Sequence, residues 1–101
     1  MIEVKLHPRA SLDLSAATRY YRVEAGRDVA ERFFAEFQRC TDFLREHPEG
    51  APAVGPEGVR RKLLQGFPYA IHYILRPDRA YIVSVAHQRR APEHLLERLK
   101  P

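Results

Sequence analysis

Three short runs of branched and aromatic residues in the second half of the chain constrain its fold more than any other feature. They cover residues 59–64, 69–75 and 81–87, and segments containing glycine or proline separate them. Such runs are typical of β-strands. The links at residues 66–68 and 77–79 are too short for a parallel crossover, so they favour an antiparallel meander. The sequence therefore predicts three neighbouring strands in one sheet.

Folding the second run back onto the third about residues 77–79 predicts a register. One face then pairs Leu75 with Tyr81, Tyr73 with Val83, Ile71 with Val85 and Tyr69 with His87. The other pairs Ile74 with Ile82, His72 with Ser84 and Ala70 with Ala86. We expect the first face, which includes Ile71, Tyr73, Val83 and Val85, to point inward. The second face, which carries His72, is either a groove or the solvated side of the sheet.

The first half of the chain predicts one more strand and a helical hairpin. Apolar and polar residues alternate over residues 2–6, which indicates a strand. Apolar positions at helical spacing predict a first helix over residues 8–25, ended by a glycine, and a second helix over residues 28–47. Asp28 and Glu31 are arranged like a capping box at the start of this second helix.

The second helix has the clearest amphipathic pattern in the chain. Phe33, Phe34 and Phe37 lie along its apolar stripe, and we expect them to supply most of the area that packs on the sheet. Cys40 belongs to the same stripe. It is expected to be a small buried hydrophobe rather than a reactive thiol.

The remaining segments complete a single small domain. Residues 48–58 contain too many prolines and glycines for regular structure and predict a connecting loop, whereas residues 91–99 predict a short helix. The 101 residues suffice for one core, so we expect one domain over residues 1–101. The predicted class is α+β: a small antiparallel sheet, made of the N-terminal strand and the meander, packed against an N-terminal helical hairpin, with a short C-terminal helix.

Positive charge is concentrated on the meander. The chain has 17 Lys and Arg against 13 Asp and Glu, a net charge of +4. Arg60, Arg61 and Lys62 are contiguous, and Arg89 and Arg90 follow the last strand. This balance favours an acidic macromolecular partner, which could be nucleic acid or protein.

Other classes of protein find no support in the sequence. No apolar stretch approaches membrane-spanning length and no signal peptide is evident, so we expect a cytoplasmic protein without a membrane partner. The five histidines lack ligand spacing with carboxylates or the cysteine, so no metal site is expected. Neither a Gly-rich phosphate loop nor a Ser-His-Asp order is present, and no cofactor is expected.

The motifs FPYAIHY at residues 67–73 and HQRRAP at residues 87–92, together with the order of the elements, resemble the RelE/ParE toxin superfamily. The chain looks most similar to the ParE branch, and the resemblance covers nearly all of it. The resemblance implies the toxin of a type II toxin-antitoxin system, which a separate antitoxin protein neutralises by forming a hetero-oligomer.

Two activities occur in the superfamily, and the sequence bears on the choice. ParE-like members block DNA gyrase without being enzymes, whereas RelE-like members cleave mRNA on the ribosome. Ala70 occupies a position where an RNA-cutting relative carries a basic residue. His94 stands where such a relative carries a tyrosine that acts as an acid. We therefore favour gyrase inhibition, with ribosome-dependent mRNA cleavage as the alternative. A non-toxic peptide-binding module of the same fold is a third possibility.

The candidate functional residues are the basic and histidine side chains around the meander. Those expected to contact the target or the antitoxin are Arg60, Arg61, Lys62, His72, His87, Arg89 and Arg90. If the chain is a ribonuclease, the catalytic candidates are Arg61, Lys62, His87, Arg90 and His94. Alternation along a strand means that Arg60, Arg61 and Lys62 cannot all face the same way. His87 is expected to be structural, and Arg90 either holds the C-terminal helix or contacts the target.

Overall fold

A computed structural model describes residues 1–90 and 92–100 of the chain. Ala91, the first residue of the predicted C-terminal helix, lies outside this part. The strands are β1 (Glu3–Leu6), β2 (Arg60–Leu63), β3 (Tyr69–Leu75) and β4 (Arg79–His87). The helices are α1 (Pro8–Ala25), α2 (Arg27–Glu46) and α3 (Leu96–Leu99), with 3-10 turns at Pro56–Gly58 and Pro92–Leu95. Helices α1 and α2 pack on the sheet, which confirms the α+β class.

Helix α1 has the predicted bounds, whereas α2 begins and ends one residue earlier than predicted and has a different cap. Helix α1 begins where His7 Nδ1 accepts a hydrogen bond from the Arg9 N–H, at 3.0 Å. Gly26 ends α1 and precedes α2 with a φ of 96°, a conformation that favours glycine. Among the described residues no side chain caps α2, so the predicted capping box does not form. Glu31 instead pairs with Arg27 at 3.0 Å, and Asp28 stays in the first turn, where a negative charge suits the helix dipole.

The sheet has the strand order β1-β4-β3-β2 and is mixed. Strands β2, β3 and β4 form the predicted antiparallel meander. Strand β1, however, pairs with β4 in parallel, so the expectation of a wholly antiparallel sheet is wrong for this strand. Alternation of apolar residues specifies which side chains point inward, but it is the same for either strand direction.

The predicted register holds for half of the β3–β4 pair and then shifts. Four pairs are confirmed: Tyr69 with His87, Ala70 with Ala86, Ile71 with Val85 and His72 with Ser84. Beyond them Tyr73 pairs with Ile82, Ile74 with Tyr81 and Leu75 with Ala80. A bulge next to Tyr73 leaves Val83 as the extra residue of β4, so the three pairs predicted towards the turn are wrong.

Two apolar clusters lie on opposite faces of the sheet. We call the face that packs on α1 and α2 the helix-side face; its sheet residues include Ile71, Tyr73, Ile82 and Val85. The opposite face, called here the far face, holds a smaller cluster of Val59, Ile74, Val83 and Leu95. The bulge therefore moves Val83 from its predicted inward position to the far face, beneath the C-terminal segment.

Helix α2 uses only part of its aromatic stripe. Phe33 and Phe37 are buried in the helix-side cluster as predicted, but Phe34 is 40% exposed, so its predicted packing on the sheet is wrong. Cys40 is fully buried, and this burial raises the pKa of its thiol to about 11. The prediction of a small buried hydrophobe rather than a reactive thiol is thus confirmed.

Glu36 ties α2 to the turn that follows β2. Its carboxylate accepts hydrogen bonds from the Arg39 guanidinium, at 2.7 Å to each oxygen, and from the Gln65 N–H at 2.7 Å. The bond from Arg39 is the main reason why the pKa of Glu36 falls to about 2. The carboxylate therefore stays charged and holds the β2–β3 turn against the helix.

Candidate functional site

The basic residues of β2 are divided between the two faces of the sheet. Arg60 and Lys62 pair with Tyr73 and Ile71, both residues of the helix-side cluster, whereas Arg61 pairs with His72. This confirms that the three cations do not face one way. It also separates Arg61 from Lys62, two of the ribonuclease candidates, by the thickness of the sheet.

Arg60 and Lys62 are engaged within the fold. Arg60 Nη1 donates to the Ala51 carbonyl at 2.7 Å, and Lys62 Nζ lies 4.6 Å from the centroid of the Phe43 ring. Tyr73 adds a second anchor for the same connecting segment, because its hydroxyl donates to the Pro48 carbonyl at 2.7 Å. These contacts fix the loop between α2 and β2.

The far face brings together Arg61, His72, Ser84 and His94. The rings of His72 and His94 are 6.1 Å apart, and Ser84 Oγ lies 3.1 Å from His94 Nε2. His72 is only 2% exposed, and within the described part of the chain its Nδ1 has no hydrogen-bond partner. Burial lowers the pKa of His72 to about 4, with further contributions from His94 and Arg61. His72 is therefore neutral at physiological pH.

The far face is covered rather than open at its centre. Leu95, from the C-terminal segment, is fully buried against Val59, Ile74 and Val83. The sequence left open whether this face is a groove or the solvated side of the sheet. Neither prediction describes the surroundings of His72. The side chain sits instead under a lid formed by the end of the chain.

The turn that follows β4 presents the exposed cations. His87 Nδ1 accepts a hydrogen bond from the Arg89 N–H at 3.1 Å, and the His87 ring lies 6.0 Å from that of Tyr69. The Arg90 N–H donates to the His87 carbonyl at 3.0 Å, which closes the turn. His87 is thus placed next to Tyr69 as predicted, and both Arg89 and Arg90 are exposed.

The ribonuclease candidates accordingly fall into three places. Lys62 is on the helix-side face, Arg61 and His94 are on the far face, and His87 and Arg90 are at the end of β4. Their neighbours differ as well: His94 contacts His72 and Ser84, whereas His87 contacts Tyr69.

One buried ion pair was missed by the sequence-based reasoning. Arg98 Nη1 donates to Asp13 Oδ2 at 2.5 Å and to the Val83 carbonyl at 2.9 Å, while the Val85 N–H donates to Asp13 Oδ2 at 3.1 Å. The pair thereby supplies partners to two backbone groups of the bulged segment and joins α1, β4 and α3. A signal was present: Asp13 lies within the apolar stripe of α1, and Arg98 follows Leu95 by three residues.

Two kinds of site find no support in the described structure. Among residues 1–90 and 92–100, no helix is long and apolar enough to cross a membrane. In the same part of the chain, no group of three or more His, Cys, Asp or Glu side chains is placed to hold a metal ion.

Comparison with known proteins identifies the family. Residues 4–92 match the family described as ParE toxin of type II toxin-antitoxin system, parDE. The chain belongs to the ParE toxin family.

A solved structure supports the ParE fold independently. The chain is similar to one from the chromosomal ParDE toxin-antitoxin system of P. aeruginosa, with a TM-score of 0.75 and 21% sequence identity. The similarity covers 86% of this chain and 96% of the other. No curated protein matches significantly. The resemblance to the ParE branch that was seen in FPYAIHY and HQRRAP is therefore confirmed, and the chain is the ParE toxin of a type II toxin-antitoxin system.

Proposed function

We propose that this ParE toxin binds DNA gyrase and stalls it on cut DNA, and that a cognate antitoxin neutralises it. The observation that carries the proposal is the dispersal of the cationic and acid-base residues. Cleavage of RNA requires several cations and a proton-transferring group to converge on one phosphate. Here Lys62 and Arg61 lie on opposite faces, and His72 is buried under the C-terminal segment.

The exposed turn after β4 is the proposed contact with the target. Arg89 and Arg90 project from a turn that is fixed at both ends, because the Gln88 N–H donates to the Pro68 carbonyl at 2.9 Å and the Arg90 N–H to the His87 carbonyl. A turn held in this way presents two cations at a small cost in conformational entropy. Gyrase acts in the cytoplasm, so the toxin is proposed to act there too.

The outer side of the helical hairpin is the proposed antitoxin surface. Leu12, Tyr20 and Val23 of α1 are 68%, 56% and 71% exposed. A groove of about 610 Å³ between α1 and α2 is lined by Arg22 and the partly exposed Phe34, among others. Apolar anchors next to cations suit an acidic partner segment with hydrophobic residues, and the two chains would form a hetero-oligomer.

Gyrase supercoiling assays test the proposal. Purified toxin is expected to inhibit supercoiling and to cause cleaved DNA to accumulate. Addition of the antitoxin is expected to restore the supercoiling activity of gyrase. Added salt should weaken the toxin-antitoxin association, because part of the attraction is between charges. Toxin that leaves supercoiling unchanged at micromolar concentration would remove gyrase as the target.

Ribosome-dependent mRNA cleavage remains the second candidate, and one observation favours it. Arg61 and His72 do lie close to His94 on the far face, although the C-terminal segment that carries His94 covers His72. Translating ribosomes incubated with the toxin should show intact mRNA if the toxin acts on gyrase. Cut mRNA would support the ribonuclease instead. Expression without growth arrest, in a host that lacks the antitoxin, would favour a non-toxic binding module.

A further inference from the structure

A cavity of about 380 Å³ lies where the β3–β4 turn, the start of α1 and the end of α3 meet. Ile74, Val83 and Leu99 form an apolar wall, and the remaining lining is polar or aromatic. The cavity is separate from the turn after β4 and from the groove between α1 and α2. A volume of this size accommodates a small organic ligand rather than a lone ion.

The polar lining of this cavity is cationic. Arg76, Arg98 and Lys100 contribute to it, and among the residues that the structure describes the lining has no carboxylate. The charge of Arg98 is balanced by Asp13. Lys100 has only a loose, exposed contact with Glu97 at 3.4 Å, and the exposed Arg76 side chain has no hydrogen bond or ion pair within the described residues. Arg76 and Lys100 are therefore available to an anion.

Two ring side chains add hydrogen-bond donors and ring surface. His7 Nδ1 accepts the Arg9 N–H, so in the neutral ring the proton resides on Nε2, which leaves Nε2 as a donor. Tyr81 contributes a phenolic hydroxyl, and its ring centroid lies 6.0 Å from that of His7. Both residues line the cavity.

We propose that this cavity binds the phosphate group of a nucleotide. Arg76 can form two parallel hydrogen bonds to phosphate oxygens, and Lys100 supplies a mobile point charge. A terminal phosphate offers three anionic oxygens to these donors, and a backbone phosphodiester offers two. The His7 and Tyr81 rings, with the apolar wall, offer a place for the sugar or the base.

The phosphate can come from a free nucleotide or from the backbone of a nucleic acid, and both share the same chemistry. Binding at this cavity does not depend on gyrase being the target, since it can be measured with the toxin alone. Failure of the gyrase proposal would therefore leave this one standing, and the reverse also holds.

Titration of the purified toxin with four probes tests the site. The probes are inorganic phosphate, AMP, a short single-stranded DNA and a glutamate peptide with the same net charge as the DNA. We expect AMP and the DNA to bind, with NMR shifts at His7 and Tyr81. A DNA affinity much greater than that of AMP, falling steeply with salt, would assign the site to nucleic acid, whereas equal affinities would assign it to free nucleotides. Equal binding of the glutamate peptide would overturn the proposal, as would no binding of either nucleotide at millimolar concentration.

Paired arginine variants separate the cavity from the overall charge of the toxin. Arg76→Ala should weaken DNA binding about tenfold and should reduce the slope of log affinity against log salt concentration by about one. Arg27→Ala removes the same charge from a remote exposed position and should change little. Both side chains are exposed, so both variants are expected to fold. Equal weakening by the two variants would mean that binding is non-specific and would refute the site.

Discussion

At the scale of single residues, the Asp13 and Arg98 pair has the most consequences for stability. The Arg98 side chain is 5% exposed, and its guanidinium serves both the Asp13 carboxylate and the Val83 carbonyl. Arg98→Met should lower the free energy of unfolding by about 3–5 kcal/mol, because it leaves a nearly buried carboxylate without its counter-ion. Urea unfolding measures this change.

Two control variants for Arg98→Met differ from it in how much buried charge they leave without a partner. Arg27→Met breaks an exposed ion pair with Glu31 and should change the free energy of unfolding by less than about 1 kcal/mol. The double variant Asp13→Asn with Arg98→Met should lose less than the two single variants together, since no charge then remains without a partner. A stability of Arg98→Met within about 1 kcal/mol of the parent would contradict this account.

The single residue His72 makes the free energy of unfolding depend on pH. Its pKa is about 4 in the folded protein against 6.5 for the free side chain, so the unfolded chain binds the proton more readily in this window. The free energy of unfolding should therefore fall as pH drops from 6.5 towards 4, by up to about 3 kcal/mol. The Glu36 carboxylate, with a pKa lowered from 4.5 to about 2, loses its contribution only below pH 4.5.

Unfolding measured at pH 7 and pH 5 isolates the effect of His72 from that of Glu36. His72→Phe should flatten the profile in this range and should not be strongly destabilising at pH 7, because the buried Nδ1 makes no hydrogen bond to any residue that the structure describes. A parent protein that is equally stable at the two pH values would show that His72 is not desolvated as described.

At the scale of elements, α2 provides an internal comparison between two phenylalanines. Phe37 is buried in the helix-side cluster, whereas Phe34 is 40% exposed, three residues earlier on the same helix. Phe37→Ala should cost about 3–5 kcal/mol of unfolding free energy, while Phe34→Ala should cost clearly less because little cavity is created. Similar losses from both variants would mean that the whole stripe packs on the protein.

The elements themselves were largely predictable, because each has a strong local pattern. The bounds of α1 and β3 agree with the sequence prediction. Pro8 and Gly26 delimit α1, and the links at residues 66–68 and 77–79 delimit β3. The capping of α2 was not predictable in this way: Gly26 already serves as the N-cap, so Asp28 lies two positions too far along the chain to cap it.

The sheet shows where local pattern stops being sufficient. Ile82, Val83 and Val85 are all apolar, so the sequence reads equally well with or without the bulge between them. What stabilises the bulge is remote in sequence: Asp13 and Arg98 bind the Val85 N–H and the Val83 carbonyl. The position of Leu95 over the far face is equally non-local, and it decides that His72 is buried rather than in a groove.

At the scale of the whole molecule, the surface divides into three regions of different character. The outer side of α1 exposes apolar residues next to cations, the turn after β4 is cationic, and the cavity near Arg76 combines cations with rings. The two surfaces proposed for the antitoxin and for gyrase share no residue. Neutralisation would then arise by steric exclusion or by conformational coupling, and the two partners should be separable by mutation.

Two double variants test this separation. Leu12→Asp with Val23→Asp places charge on the apolar side of α1 and should weaken antitoxin binding about tenfold or more, while gyrase inhibition persists. Arg89→Ala with Arg90→Ala should do the opposite. Both pairs are exposed, so the melting temperatures should stay close to that of the parent.

The readouts are the dissociation constant for the antitoxin and inhibition of supercoiling with and without it. Lys5→Ala with Arg45→Ala removes an equal number of positive charges from exposed ion pairs on β1 and α2, away from both proposed surfaces, and serves as the control for net charge. The first variant should remain toxic when the antitoxin is present at a concentration that silences the parent. If either double variant reduces both activities to the same extent, the two partners share one surface, and the antitoxin competes with gyrase directly for the turn that carries Arg89 and Arg90.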